Sequence, residues 1–190
     1  MKFHRLAFEA SLALAGLILI ASRPAFAQAE IGAYGGGAHQ TGGTHAVAGG
    51  SVGVHVSQVF QLFGDVNYIP LGSQKFSVPG VGSSSFSAKM LNLGGGVMAG
   101  IPTSGGKVTP YVLVIGGVGH QSVSYSSSGP ISTSGSASAG NFGYFGGGSG
   151  IRLMAGQSWG FRPEFRYQHY LQGGGNLLLF TGGIFFQFGK

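Results

Sequence analysis

The stretch Leu177-Leu178-Leu179-Phe180-Thr181-Gly182-Gly183-Ile184-Phe185-Phe186-Gln187-Phe188 decides the fold class. Its residue types alternate with a period of two, which indicates a β-strand rather than a helix. One face is mixed and small, whereas the other suits contact with hydrocarbon. A buried strand of a soluble sandwich would show the same pattern, so the stretch is decisive only when the rest of the chain repeats it. The large apolar face is formed by Leu178, Phe180, Gly182, Ile184, Phe186 and Phe188.

The start of the chain has the features of a cleaved secretory signal peptide. A basic beginning is followed by an apolar run over 10–21 and by Ala25-Phe26-Ala27, the small-x-small pattern that signal peptidase accepts. The run is shorter than the roughly 20 residues of a spanning helix. We therefore predict a signal peptide over 1–27 and one barrel domain over 28–190, with an uncleaved amphipathic anchor as the alternative.

The composition points to contact with lipid. The chain is 43% hydrophobic and only 7% charged, whereas soluble domains carry about 25% charged residues. A domain of this size leaves much of its surface exposed, so burial alone does not explain the shortage of charge. Later stretches are too short or too polar for spanning helices, and a closed β-barrel is the other structure that satisfies its backbone in a membrane. The chain has no cysteine, so closure of the sheet must replace disulfides.

Eight windows after the signal have the length and alternation of tilted membrane strands. They predict an all-β fold, an eight-stranded antiparallel up-and-down transmembrane β-barrel. Long Ser/Gly-rich connections over 72–84 and 125–141 are expected as outside loops, and the short turns between them place both termini in the periplasm. The windows are 30–39, 45–56, 59–71, 85–101, 108–124, 142–154, 159–170 and 177–188.

Charged residues alternate with apolar ones in the third, sixth and seventh windows, so they share the lumen-facing side. An eight-stranded barrel is barely wide enough for its own side chains, and an isolated buried charge is costly. We predict a paired network that plugs the lumen. A gate that rearranges to conduct ions and a binding or catalytic role remain as alternatives. The network consists of Asp65, Arg152, Arg162, Glu164 and Arg166.

Two histidine–serine pairs could suggest a hydrolase. His120 and Ser122, like His55 and Ser57, lie two residues apart on one face of a strand, a spacing found in outer-membrane lipid A deacylases. An acidic residue must also orient the histidine, and Glu164 lies near the opposite end of the barrel from His120. The sequence therefore predicts no enzyme, with His120 and Ser122 kept as candidates for the hydrolase alternative.

Metal ions, cofactors and nucleic acid are not predicted as ligands. His39, His45 and His120 are expected near one rim, but no fixed ligand spacing supports a zinc site, so solvated loop histidines are the better interpretation. The basic residues of the mature chain are scattered, and nucleic-acid binding requires a basic cluster.

Four segments together resemble the small outer-membrane β-barrel proteins of the OmpA-like and Opa-like superfamily. They are the signal ending 25–27, the Gly-aromatic strand 31–36, the segment Phe161-Arg162-Pro163-Glu164-Phe165-Arg166-Tyr167 and the terminal 181–188. The resemblance implies a single-domain barrel without a peptidoglycan-binding domain. Such barrels serve in tethering, adhesion, resistance to host factors, conduction and lipid enzymology, so fold alone does not give function.

We therefore expect an outer-membrane protein with a structural or surface-interaction role. A narrow porin for ions or small solutes and a lipid A-modifying hydrolase are the alternatives. The expected partners are outer-membrane lipid and lipopolysaccharide, and the barrel-assembly machinery during insertion. The expected state is a monomer.

Overall fold

The computed structural model describes residues 28–78, 82–128, 132–171 and 175–189, so the predicted signal peptide lies outside the described residues. No helix in these ranges is long and apolar enough to cross a membrane. The described chain forms strands β1 to β8, whose bounds are Ala29–Gln40, Gly43–His55, Phe60–Val78, Gly82–Gly100, Val108–Ser128, Thr133–Met154, Trp159–Tyr170 and Gly175–Phe188.

The strands form one closed barrel in which each strand pairs antiparallel with the next. The ring closes where β1 pairs with β8, in a register that joins Ala29 to Phe188 and His39 to Leu178. Closure satisfies the backbone of both terminal strands without leaving a sheet edge in the membrane. The predicted eight-stranded antiparallel barrel is confirmed, as is the closing role of the final strand.

The strand faces follow the alternation read from the sequence. In β8 the side chains of Leu177, Leu179 and Phe185 are buried inside the barrel, whereas Phe180 and Phe188 are each 58% exposed on the outside. In β7 every second residue from Gly160 to Tyr170 is buried. The exposed outer residues form the apolar band expected of a barrel in lipid.

The two predicted long loops are largely strand, and this part of the prediction was wrong. β3 continues to Val78 before β4 begins at Gly82, and β5 continues to Ser128 before β6 begins at Thr133. The reason is that the serines alternate in phase and meet across the strands: the hydroxyls of Ser83 and Ser128 share a hydrogen bond of 2.8 Å. Serine suggested a loop, whereas its period of two was that of a strand.

These extensions form a four-stranded sheet that continues beyond the rest of the barrel. Among the described residues, β2 pairs with β3 only as far as Tyr68, and β7 pairs with β6 only from Tyr144. Beyond those points β3, β4, β5 and β6 remain paired with one another. We call this sheet the wing, formed by residues 69–78, 82–91, 120–128 and 133–143.

Glycine gives the narrow lumen room for tyrosine rings. Tyr111 pairs across the strands with Gly150, and a Cβ added at Gly150 would overlap the Tyr111 hydroxyl. Tyr34 lies over Gly49 in the same way, because a Cβ there would meet its hydroxyl at 2.5 Å. At these two positions glycine is required because an inward ring covers the neighbouring strand.

We predict that Gly150→Ala destabilises the barrel by about 1–3 kcal/mol, because the added methyl overlaps the Tyr111 ring in a packed interior. Gly182→Ala is the matched control, since nothing lies within 4 Å of a Cβ added there. Urea unfolding of vesicle-reconstituted protein, followed by fluorescence of the single tryptophan Trp159, measures both. Equal stability of the two variants would contradict this account of the glycine–tyrosine pairs.

Candidate functional site in the barrel lumen

Ionised side chains from four strands converge inside the barrel. Glu30 comes from β1, Asp65 from β3 and Arg152 from β6, while β7 supplies its charged residues at every second position. Strand alternation is what turns them all inward. The structure thus brings together all the residues that were predicted for the lumen network: Asp65, Arg152, Arg162, Glu164 and Arg166.

Arg166 lies at the centre of this group. Its Nη1 is 3.1 Å from Oδ2 of Asp65, and its Nε donates to Oε1 of Glu164. Its guanidinium also lies 5.5 Å from the ring centre of Tyr34 and 5.8 Å from that of Phe63. Two carboxylates and two aromatic faces therefore compensate a cation that is only 2% exposed.

The network continues toward the end of the barrel that holds the chain terminus. Arg162 Nη1 donates to Oε1 of Glu30 at 2.9 Å, and Arg152 Nη2 donates to Oε2 of the same carboxylate. Arg152 Nη1 also contacts Nε2 of His55 at 3.0 Å, and Nδ1 of His55 lies 3.2 Å from the carbonyl oxygen of Gln28. This geometry fits a neutral His55 that accepts from Arg152 and donates to Gln28.

Glu30 was missing from the predicted network, although it accepts from two arginines. Two signals could have found it. Ile31 lies on the outer face, so its neighbour Glu30 must point inward. The mature chain also has three arginines, which require a third carboxylate beside Asp65 and Glu164. A balance of buried charge, applied to the whole mature chain, identifies this residue.

Neutral groups donate further hydrogen bonds to two of these carboxylates, Asp65 and Glu164. The Tyr34 hydroxyl donates to Asp65 Oδ2 at 2.8 Å, and the Tyr111 hydroxyl donates to Glu164 Oε2 at 2.5 Å. Asn67 Nδ2 donates to Asp65 Oδ1 at 3.2 Å. Such donors are required because a buried ion pair repays its desolvation only when its other lone pairs are bound.

The half of the lumen nearer the wing is filled differently. Its buried side chains are mostly apolar, and Tyr170 packs edge-on against Phe142 with ring centres 5.6 Å apart. A cavity of about 290 Å³ opens at this rim, lined in part by Gln40, His45 and Met90. The apolar layer below it includes Ala38, Val47, Ile69, Met90, Leu177 and Leu179.

The candidate hydrolase pairs lie in other surroundings. His120 and Ser122 fall on the outward face of β5, and Nδ1 of His120 lies 2.6 Å from Oδ1 of Asn141 rather than near a carboxylate. The acidic side chains of the described ranges, Glu30, Asp65 and Glu164, all lie in the lumen. The orienting acid that serine hydrolysis requires is therefore missing from the described surroundings of His120.

The remaining candidate residues, Ser57, His39 and His45, lie at separate places in the structure. Ser57 closes a turn, because its Oγ accepts from the backbone nitrogen of Phe60 at 2.9 Å. His39 Nδ1 lies 2.9 Å from Thr44 Oγ1, and His45 lines the rim cavity. Within the described residues, no three His, Cys, Asp or Glu side chains are grouped as a metal site would require.

Large side chains project from the wing on the side that faces the barrel mouth. Phe86 pairs directly with Tyr125, and the alternation of β4 places Phe86 on the same side as Met90, which is buried in the lumen. Phe76 lies opposite Ser84 and so shares this side. All three are at least 48% exposed, so the mouth side of the wing presents an uncovered aromatic row.

No family model matches the chain, and no curated protein matches its sequence. Solved structures do match. Neisserial surface protein A is similar with a TM-score of 0.61 and 12% identity, over 85% of this chain and 96% of that chain. The Yersinia pestis attachment invasion locus protein Ail, in complex with the heparin analogue sucrose octasulfate, is similar with a TM-score of 0.56 and 13% identity, over 86% and 99%.

A major outer membrane protein from Thermus thermophilus is also similar, with a TM-score of 0.55 and 13% identity, over 84% of this chain and 99% of that chain. These matches cover most of each chain. Identities this low show the fold alone. The chain has the fold of the small eight-stranded outer-membrane β-barrels, as its resemblance to the OmpA-like proteins predicted.

Proposed function

We propose that this chain is an outer-membrane barrel with a plugged lumen, which acts through its outside surface in a structural or interaction role. The observation that carries the proposal is the filling of the lumen in two layers. Arg152, Arg162 and Arg166 are held by Glu30, Asp65 and Glu164 at one end, and the apolar layer fills the other.

The charge balance of the layer of arginines and carboxylates supports a plug rather than a pore. Its three arginines meet three carboxylates, so it carries no net charge that would attract a permeating ion. Moving any member would leave a buried partner uncompensated, at a cost of about 3–5 kcal/mol. A barrel of eight strands has an interior just wide enough for its own side chains.

The wing supports the interaction role. Rigid barrels present recognition surfaces on the segments that extend beyond them, and here that segment is a paired sheet with Phe76, Phe86 and Tyr125 uncovered. Exposed aromatic side chains of this kind are enriched at binding surfaces. One structural neighbour, Ail, is described as an attachment invasion locus protein.

The proposal includes the topology and partners expected from the sequence. Cleavage after Ala27 would release a barrel that the assembly machinery inserts as a monomer, with both termini in the periplasm. The wing would then lie outside the cell, surrounded by outer-membrane lipid and lipopolysaccharide. We propose no enzymatic activity, because His120 and Ser122 face away from the described carboxylates.

The plug predicts that the native barrel does not conduct. Refolded protein added to planar bilayers should give no channel events, because both layers of the lumen are filled. A shift between boiled and unboiled samples on a gel, measured on the same preparation, shows that the barrel is folded. Regular conductance steps from folded native protein would replace the plug with the narrow-porin alternative.

We further predict that Glu30→Gln lowers the free energy of unfolding by about 3–5 kcal/mol, because Arg152 and Arg162 lose their shared carboxylate. Urea unfolding in vesicles measures the change. Lys107→Gln removes a single charge from an exposed turn and should alter stability by less than about 0.5 kcal/mol.

A second variant separates charge balance from packing. Adding Arg152→Gln to Glu30→Gln removes one unpaired cation, so part of the lost stability should return. Native-like stability of the single variant, or a further loss in the double variant, would argue against an ionic layer that holds the lumen together.

A further inference from the structure

The wing has a second face, which is turned away from the barrel mouth and is almost entirely serine. Lys75, Ser85, Ser126 and Ser134 are successive partners across the four strands. The next row toward the membrane runs from Ser73 to Ser136 through two further serines. Below it, Lys89 pairs with Ser122, and Ser122 pairs with Ser138. We call this surface the serine face.

The serine face continues the lipid-facing surface of the barrel. Lys89 alternates with Leu91 and Leu93 on β4, and these two leucines are 49% and 60% exposed on the outer band. On β5, Ser122 alternates in the same way with His120 and with Val118, which is 56% exposed. The apolar band therefore gives way to lysine and serine within one or two residues on the same outer surface.

The height of the serine face above the apolar band distinguishes a phospholipid from a lipid that carries an oligosaccharide. From Lys89 to Ser83 the strand is about 20 Å long, which corresponds to about 15 Å along the membrane normal when the strand is tilted by about 40°. The head-group region of a phospholipid leaflet is only about 5–8 Å thick. A phospholipid head group would therefore reach only the row nearest the membrane, formed by Lys89, Ser122 and Ser138. A lipid that carries an oligosaccharide would reach all rows of the serine face.

The chemistry of the serine face complements phosphates and sugars. Lys75 and Lys89 are exposed, and the described carboxylates that could neutralise them are bound to arginines in the lumen. The hydroxyls of Ser85 and Ser126 share a hydrogen bond of 2.7 Å, which leaves each oxygen with further capacity to accept a hydrogen bond. Rows of hydroxyls about 4.8 Å apart across the strands offer repeated polar contacts to a saccharide.

We propose that the serine face binds the phosphorylated saccharide of lipopolysaccharide beside the barrel, with Lys75 and Lys89 on its phosphates and the serine rows on its hydroxyls. This inference rests on the proposed function, because it requires the wing to stand outside an outer membrane. It assigns the serine face of the wing to the surrounding glycolipid.

Two pairs of matched variants isolate the serine face. Lys75→Gln with Lys89→Gln removes its charge, while Lys107→Gln removes the same kind of charge from a turn at the opposite end of the barrel. Ser85→Ala with Ser126→Ala removes a hydrogen-bonded pair from the serine face. Ser84→Ala with Ser127→Ala removes the adjacent pair, joined at 3.4 Å, from the mouth side.

The experiment titrates the folded mature protein in detergent with purified lipopolysaccharide and measures the apparent dissociation constant. The double lysine variant should bind about thirtyfold more weakly, since a lysine near an anionic lipid surface contributes about 1 kcal/mol. Lys107→Gln should bind as the native protein does. The Ser85/Ser126 variant should bind more weakly than the Ser84/Ser127 variant, and phosphatidylglycerol should bind more weakly than lipopolysaccharide.

Native-like affinity of the double lysine variant would overturn the proposal, as would an equal loss in Lys107→Gln. Tighter or equal binding of phosphatidylglycerol would assign the surface to phospholipid phosphate instead. Equal affinities of the two serine variants would remove the saccharide contacts. The gel shift between boiled and unboiled samples establishes that each variant is folded. Conduction by the native barrel would contradict the proposed plug without changing these affinities, so the two failures are distinguishable.

Discussion

Closure of the sheet between β1 and β8 is the constraint on which the rest of the structure depends. A ring of eight strands leaves no free edge in the membrane but encloses a lumen just wide enough for side chains. Every inward charge must therefore find its partner within the ring, as Arg166 does with Asp65 and Glu164. Every inward ring must lie over a small residue, as Tyr111 does over Gly150.

The sequence predicted the parts of the structure that depend on alternation alone. Phe165 and Arg166 are neighbours of opposite character, so their faces, and with them most of the lumen network, followed from a period of two. Glu30 was missed because it opens the predicted window 30–39, where the alternation before it cannot be read. Its role depends on arginines of β6 and β7 more than a hundred residues away, a partnership that the closed ring creates.

The wing was missed because residue type and residue period gave opposite indications. Serine and glycine favour loops, and a serine-rich segment has too little apolar surface to require burial. Here the period of two mattered more, because each serine of β4 lies opposite a serine of β5 once the two strands are held in register by the barrel below. The barrel therefore acts as the template for a sheet that its own sequence would scarcely stabilise alone.

The same alternation places carboxylates and arginines inside the barrel and lysines outside it. The described carboxylates are all consumed by arginines in the lumen, whereas Lys75, Lys89 and Lys107 remain on the exposed surface. Arginine suits the interior because its planar fork binds two partners at once, and lysine suits the wet surface because its ammonium is strongly hydrated. Among the described residues a neutral lumen and a cationic exterior follow, so the outside of the barrel rather than its lumen attracts anionic groups.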